Sequence, residues 1–301
     1  SRSYEATVSA NELSSGLVEL AAPASLVVQV RDEEGRALPS KVSLVGRYDE
    51  AAKGQDPRDF LYDISLGESI RPTTFDPTRN EFIEAAWYSE DGLFQNWVRP
   101  GEYELYVSRG SEYDLHKETV VLESGHYEEL LVTLTRSVDT PGYVSTDLHL
   151  HSKNSVDSGL ELEDRVISIA GEGVEYAAAT DHNFVTDYEP FIAATGLQDW
   201  LLSSVGVEVT SFEMGHFNGY PLDFDSSSIR GGDVVWAGET PTSIFEQIRS
   251  LGKYGPEETI VQINHPRWEF LGYFNVFNLS QDRVDVDALG FTLEVENHPV
   301  P

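Results

Sequence analysis

The hydrophobic pattern divides the chain into two textures. Residues 25–31, Ser-Leu-Val-Val-Gln-Val-Arg, alternate apolar and polar positions as a half-buried strand does, and Asp32-Glu-Glu-Gly-Arg36 is a turn cluster. Alternation resumes over Lys41–Gly46, so residues 25–46 read as a hairpin-like unit. Glu102–Ser108 follows Pro100-Gly101, then come Thr119–Leu122 and Glu129–Thr135, separated by Ser124-Gly125. Short strands at this spacing, punctuated by Gly and Pro, predict an all-β sandwich over residues 1–138. Between Tyr48 and Gln95 the prolines Pro57, Pro72 and Pro77 interrupt the pattern, which predicts long loops and one strand near Glu81–Tyr88.

After the linker-like Ser137–Gly142 the period changes. Tyr143–His149 reads as a strand, Glu161–Gly171 as a helix and Glu175–Thr180 as a strand, a βαβ unit that implies a parallel sheet. Ser203–Val209, Thr240–Leu251, Thr259–Asn264 and Phe291–Glu296 continue the alternation, so residues 143–301 read as an α/β domain.

Composition narrows the function classes. The chain has 301 residues, 40% hydrophobic and 24% charged, which is globular rather than disordered. Its net charge is −32, with 20 Lys+Arg against 52 Asp+Glu, which argues against a nucleic-acid or anionic-membrane surface. Five of the cations are lysines, so the surface is acidic and Lys-poor, which suits a secreted or periplasmic setting without excluding the cytoplasm. The absence of cysteine removes disulfides, Cys-ligated zinc, Fe–S clusters and thiol nucleophiles. No apolar run reaches the roughly 18–20 residues of a membrane span. The start, SRSYEATVSA, has neither Met nor signal-peptide character and reads as a trimmed beginning that leaves secretion open.

The chemistry concentrates in histidines. Six of the eight lie after the linker: His149, His151, His182, His216, His265 and His298. The first five sit at strand ends or in the segments that follow, where parallel α/β proteins gather ligands. Residues i and i+2 of a strand face the same way, so His149 and His151 converge as half of a metal site; the plain alternative is a pair of half-buried polar side chains. Asp157 follows in a Ser/Asn/Gly loop that can fold back over the strand end. In Thr180-Asp-His-Asn183, His182 can ligate while Asp181 or Asn183 orients its neighbours. Glu208 is a lone carboxylate in an apolar strand and needs a partner, for which a metal is well suited. His216 and His265 lie in Gly215-His-Phe-Asn218 and Asn264-His-Pro-Arg267, both read as tight loops. Five His, one Asp and one Glu exceed the needs of one metal and suffice for two.

Taken together, Asp147-Leu-His-Leu-His-Ser152, Thr180-Asp-His-Asn183, Gly206-Val-Glu-Val-Thr210, Gly215-His-Phe-Asn218 and Asn264-His-Pro266 resemble the PHP (polymerase and histidinol phosphatase) superfamily, and within it the carbaryl-hydrolase-like CehA/McbA branch. The resemblance covers about residues 143–298. It implies a distorted (β/α)7-type barrel behind an all-β sandwich, a centre of two or three divalent metals (Mn, Fe or Zn), and hydrolysis of phosphate or related esters. The ligands it implies are His149, His151, Asp157, His182, Glu208, His216 and His265, with Glu208 bridging. The front half, with Pro-Gly-x-Tyr-x-Leu-x-Val at 100–107, resembles the carboxypeptidase-regulatory type of sandwich. One feature departs from the family: no late Asp-x-His follows Asn264-His-Pro, so the expectation is either a truncated form or a barrel without its last strands and ligands, with His298 a candidate stand-in for one ligand.

The mechanism this implies is attack by a metal-activated hydroxide on phosphorus or an acyl carbon. Arg267 is the candidate clamp for an anionic substrate, Lys153 a second candidate, and Asp181 a candidate proton shuttle beside the ligated His182. The partner expected is a small phosphorylated or ester substrate. The chain contains no Gly-x-Ser-x-Gly elbow, complete dinucleotide fingerprint or Walker loop, so serine hydrolase, dinucleotide and nucleotide-phosphate chemistry fall away. Residues 143–301 carry 7 Lys+Arg and 26 Asp+Glu, which disfavours a nuclease. The rival reading is a metal-binding or adhesion module without catalysis.

Overall fold

A computed structural model describes residues 21–47, 81–232, 234–269, 271–277 and 279. The chain divides into two compact units, Ser1–Asp139 and Thr140–Pro301.

The first unit holds seven described strands: β1 (Ala24–Arg31), β2 (Ser40–Arg47), β3 (Glu81–Ser89), β4 (Leu93–Val98), β5 (Gly101–Ser108), β6 (His116–Leu122) and β7 (Tyr127–Thr133). They form two sheets, ordered β4-β1-β7 and β3-β2-β5-β6. Each sheet buries alternate residues, among them Leu26, Val28 and Val30 of β1, Val42 and Leu44 of β2, and Leu105 and Val107 of β5. That period-2 burial gives each sheet one apolar face. The hairpin expected over residues 25–46 does not form. β1 pairs with β4 and β7, and β2 with β3 and β5. The turn explains why: the buried Asp32 carboxylate accepts from Glu34 N, Arg36 N and Arg36 Nε, at 3.1, 2.8 and 2.7 Å. This Asx-type wrap ends the pairing, and Val30 N donates instead to Gly92 O at 2.8 Å, just before β4.

The second unit opens as its sequence pattern suggests. Parallel strands β8 (Thr146–Leu150), β9 (Tyr176–Ala179) and β10 (Leu202–Val205) alternate with α1 (Leu162–Gly171) and α2 (Glu189–Thr195). On α1, Leu162, Val166, Ile169 and Ala170 recur at helical spacing and pack with Ala177 and Ala179 of β9 and with Ile192 of α2.

The barrel expectation fails at Gly206. The segment Ser203–Val209, read as one strand, is two: β10 ends at Val205 and β11 (Val207–Ser211) begins a different sheet. No helix intervenes. β11 pairs antiparallel with β12 (Gly215–Tyr220), which pairs antiparallel with β13 (Ile260–Asn264). The chain changes sheets at Gly206 because only a glycine fits there: a Cβ would lie 2.8 Å from Ala179 O and 2.9 Å from Gly219 O. Among the described residues the fold is therefore four small sheets, two of them in this unit, and not a (β/α)7-type barrel. The expected strand Phe291–Glu296 and His298 lie outside the described residues.

The antiparallel sheet has two faces of opposite character. One carries Val207, Val209, Phe217 and Ile263, which pack with Ile244 and Ile248 of α3 (Pro241–Ser250) and with Tyr273 of α4 (Tyr273–Val276). α3 starts with Pro241 in its first turn behind the Thr240 cap, whose side chain accepts from Ser243 N at 3.2 Å. The opposite face carries Glu208, Thr210, His216, Asn218, Gln262 and Asn264, all placed two residues apart along their strands and opposite one another in register. That polar face is the floor of the site. Among the described residues no helix is long and apolar enough to cross a membrane.

Candidate metal centre

Glu208 is fully buried, and imidazole nitrogens surround its carboxylate. His149 Nε2, His216 Nδ1 and His265 Nε2 lie 3.3, 3.3 and 3.5 Å from Oε1. His151 Nε2 and His182 Nδ1 lie 3.5 and 2.8 Å from Oε2. Asp157 Oδ2 is 3.3 Å from His182 Nε2, and Asp157 Oδ1 is 3.7 Å from His151 Nδ1. All seven expected ligands are thus together, and they line one cavity of about 820 Å³ with Pro266, Arg267 and Trp268.

Local structure explains the convergence. Ser152 follows His151 and Asp181 precedes His182; the Ser152 backbone N–H and hydroxyl both donate to the Asp181 carboxylate. Ser155 Oγ accepts from His182 N at 2.8 Å and lies 2.8 Å from His151 Nδ1. Asn183, at φ +51°, uses its amide as a false strand: Thr210 N donates to Asn183 Oδ1 at 2.8 Å. The backbone of His265 is also in positive φ, at +26°, so a non-glycine residue is held in a sparsely populated conformation at the cavity wall.

Thr210 Oγ1 donates to the Glu208 carbonyl oxygen and sits against His182 Nδ1, while His182 Nε2 faces Asp157 Oδ2 at 3.3 Å. Partners of this kind orient a ligand ring.

Electrostatics fit a cation site. Burial opposes the Glu208 charge, yet its contacts with His149, His182, His216 and Asn264 prevail and hold the carboxyl far below the usual range. Burial lowers His151, aided by His182 and His149 and opposed by Glu208. His265 is likewise lowered by burial, with His216 and His149 adding to the effect. For His182 burial acts downward, but the carboxylates of Glu208 and Asp157 outweigh it and raise the ring.

Two atoms test that fit. Glu208 Oε2 and His216 Nδ1 are buried with no hydrogen-bond partner among the described residues. Such orphaned groups carry a penalty of about 1–3 kcal/mol each unless something binds them. Donors sharing an ion at roughly 2.1 Å stand about 3.4 Å apart at tetrahedral angles. Four of the five N···O separations around Glu208, at 3.3–3.5 Å, match that spacing and are long for hydrogen bonds; His182 Nδ1, at 2.8 Å, is at ordinary hydrogen-bond distance. Three triplets have ligand atoms within 4.8 Å of one another: His149/His151/Glu208, His182/Glu208/His216 and His151/Asp157/His182. Glu208 belongs to two of them, as a bridging carboxylate would.

Two candidate residues lie elsewhere. Asp181 is fully buried outside the cavity lining, and besides both Ser152 donors it accepts from Thr186 Oγ1 at 2.6 Å. The structure makes it an anchor beneath the site and does not bring it to the cavity as a proton shuttle. Lys153 is ion-paired with Glu161 and is not part of the lining. Arg267 does line the cavity, with its guanidinium 5.4 Å from the Phe274 ring centre. Trp268 was not anticipated. Its ring stands 5.4 Å from that of His265 and 6.1 Å from that of His216, and its position three residues after a candidate ligand was the available signal. The segment read as a tight loop at Gly215–Asn218 is the strand β12, buried at every position.

No protein-family profile matches the chain, and no curated protein matches it. Solved structures similar to part of it include the Bacillus anthracis TIE protein, with 13% identity over 42% of this chain and a TM-score of 0.24. The BcpA major pilin subunit of Bacillus cereus is 10% identical over 38% of the chain, with a TM-score of 0.24. The 3-chlorocatechol 1,2-dioxygenase of Rhodococcus opacus is 12% identical over 39%, with a TM-score of 0.25. The aligned part spans 18%, 30% and 61% of those chains, under two thirds of each.

Proposed function

We propose that the chain is a metal-dependent hydrolase of the phosphoesterase type, acting on a small phosphorylated or related ester. The observation that carries this reading is the buried Glu208 carboxylate, one oxygen of which accepts no hydrogen bond, with five histidine nitrogens 2.8–3.5 Å away. His149, His151 and Glu208 would hold one divalent cation, and His182, His216 and Glu208 would hold a second, with Asp157 and His265 completing the set. Manganese, iron and zinc all suit imidazole and carboxylate donors. Bound there, such cations supply a water of lowered pKa and positive charge opposite the charge that develops in the reaction.

The remaining work falls to the chain's own side chains. Among the described residues that line the cavity Arg267 is the one Lys or Arg, and its planar fork would bind an anionic group in two-point fashion while Phe274 supports its face. Trp268 supplies an apolar wall beside His265 and His216. The motif resemblance to PHP hydrolases supports the same side-chain chemistry. The acidic, Lys-poor surface favours a secreted or periplasmic setting.

The test is hydrolysis of 4-nitrophenyl phosphate by purified chain, stripped with chelator and then resupplied with manganese. Activity lost on stripping and restored on resupply is the expected result. If the metal-loaded chain binds manganese but turns over neither this phosphate nor 4-nitrophenyl acetate, the site is a metal-binding module without catalysis.

A further inference from the structure

We propose that a one-way chain of hydrogen bonds starting at Tyr220 fixes the orientation of Glu208, so that Tyr220, which is not a ligand, governs how tightly the site holds cations. This rests on the metal-centre reading above. Tyr220 OH donates to Gln262 Oε1 at 2.8 Å, and Gln262 Nε2 donates to Asn264 Oδ1 at 3.0 Å. Asn264 Nδ2 donates to Glu208 Oε1 at 2.8 Å and to Asn218 Oδ1 at 2.6 Å. Asn218 Nδ2 donates to the Leu148 carbonyl at 3.0 Å, beside His149 in β8.

Two obligate acceptors set the direction of the whole chain. An ionised carboxylate and a backbone carbonyl can only accept, so the amides of Asn264 and Asn218 must turn their NH2 groups toward them. Asn264 Oδ1 is then left to accept from Gln262, and Gln262 Oε1 to accept from the phenol. No alternative amide orientation satisfies every partner. Asn218 and Asn264 are almost wholly buried and Tyr220 is 4% exposed, so water does not compete for these three, while Gln262 between them is half-buried.

The consequence for Glu208 is asymmetric. Oε1 is held by the neutral Asn264 amide, which adds no positive charge, and shares His149, His216 and His265 as neighbours, while Oε2 has no amide donor and faces His151 and His182 alone. The same chain ties β12 and β13 to β8, which holds His149 in register with His216. Tyr220, Gln262, Asn264 and Asn218 are positioning residues, and hydrogen-bond partners behind metal ligands typically contribute about 10–100-fold in metal affinity.

The experiment is a manganese titration of the metal-stripped 301-residue chain by calorimetry, comparing the unaltered protein with Tyr220→Phe, Asn264→Ala and Tyr273→Phe. Melting curves of the stripped proteins run alongside. Tyr220→Phe removes a single oxygen, so it serves where Asn264→Ala fails to fold. The expected result is about tenfold weaker manganese binding for Tyr220→Phe with the number of sites unchanged, a larger loss for Asn264→Ala, and no change for Tyr273→Phe. Unchanged affinity in a folded Tyr220→Phe protein overturns the relay while leaving the metal centre standing. An unaltered chain that binds no manganese overturns the metal-centre reading and the relay together.

Discussion

Ser152 and Asp181 are joined twice, by a backbone N–H and by a hydroxyl, and both residues are fully buried. Each sits next to a candidate ligand, Ser152 after His151 and Asp181 before His182. The double bond pair therefore clamps the ends of β8 and β9 together and sets those two rings 4.5 Å apart, centre to centre.

Replacing Asp181 by Ala strands the Ser152 N–H, the Ser152 hydroxyl and the Thr186 hydroxyl inside the protein. Unsatisfied buried donors carry about 1–3 kcal/mol each, so the variant is expected to lose on the order of 3 kcal/mol of stability. Denaturant unfolding of the metal-free chain checks this. An Asp181→Ala protein with an unchanged midpoint would show that the clamp is ornamental.

Acidification of the metal-free chain has a definite sign. The unfolded chain takes up protons at ordinary values, near 6.5 for His and 4.3 for Glu. His151 and His265 are held low in the folded state, so they destabilise the fold as pH drops below about 6.5, where the unfolded chain binds the extra protons. His182 is held high and acts oppositely: its contribution is complete below about 6.5 and is lost as pH rises through its raised folded value. Glu208 is held low, so its contribution is present above about 4.3 and is lost on further acidification. Melting temperature from pH 8 to pH 2 should fall in an upper stage from His151 and His265 and a lower one, below about pH 4.3, from Glu208. His265→Gln should flatten the upper stage; a variant profile parallel to the parent contradicts the assignment.

Arg267 and Lys153 make a paired prediction about the anionic substrate. Arg267→Ala should raise KM for a phosphate ester about tenfold with a smaller change in kcat, the scale of one charge-assisted hydrogen bond at a partly exposed site. Lys153→Ala should leave KM where it was, because that ammonium is paired with Glu161 and does not line the cavity. Steady-state kinetics on both variants decide it, and the reverse pattern would move the anion site from Arg267 to Lys153.

Much of the site was legible because it follows local periodicity. His149 and His151 share a strand face by the i, i+2 rule, and Glu208 stood out as a charge in an apolar strand. The larger architecture was not legible, and the reason is a single residue. Ser203–Val209 reads as one strand of a βα series, since nothing in its alternation announces that Gly206 hands the chain to a second sheet. Gly215–Asn218 reads as a loop because Gly and Asn are poor strand formers, yet it belongs to β12, the central strand of that sheet. Its pairing with β11 and β13 is what places Asn218 opposite Glu208 and Asn264 opposite His216. Long-range pairing of this kind is set by tertiary burial and leaves no local mark, so the amide relay was invisible until the strands were aligned.

The central claim is that Glu208 is the shared carboxylate of a metal centre, and the most direct test counts metals. Purified chain and Glu208→Gln, each equilibrated with manganese or zinc and dialysed, are compared by elemental analysis. The account predicts at least two metals per unaltered chain and a loss of most of that content in Glu208→Gln, with both proteins folded. Equal metal content in the two proteins, or none in either, would contradict it.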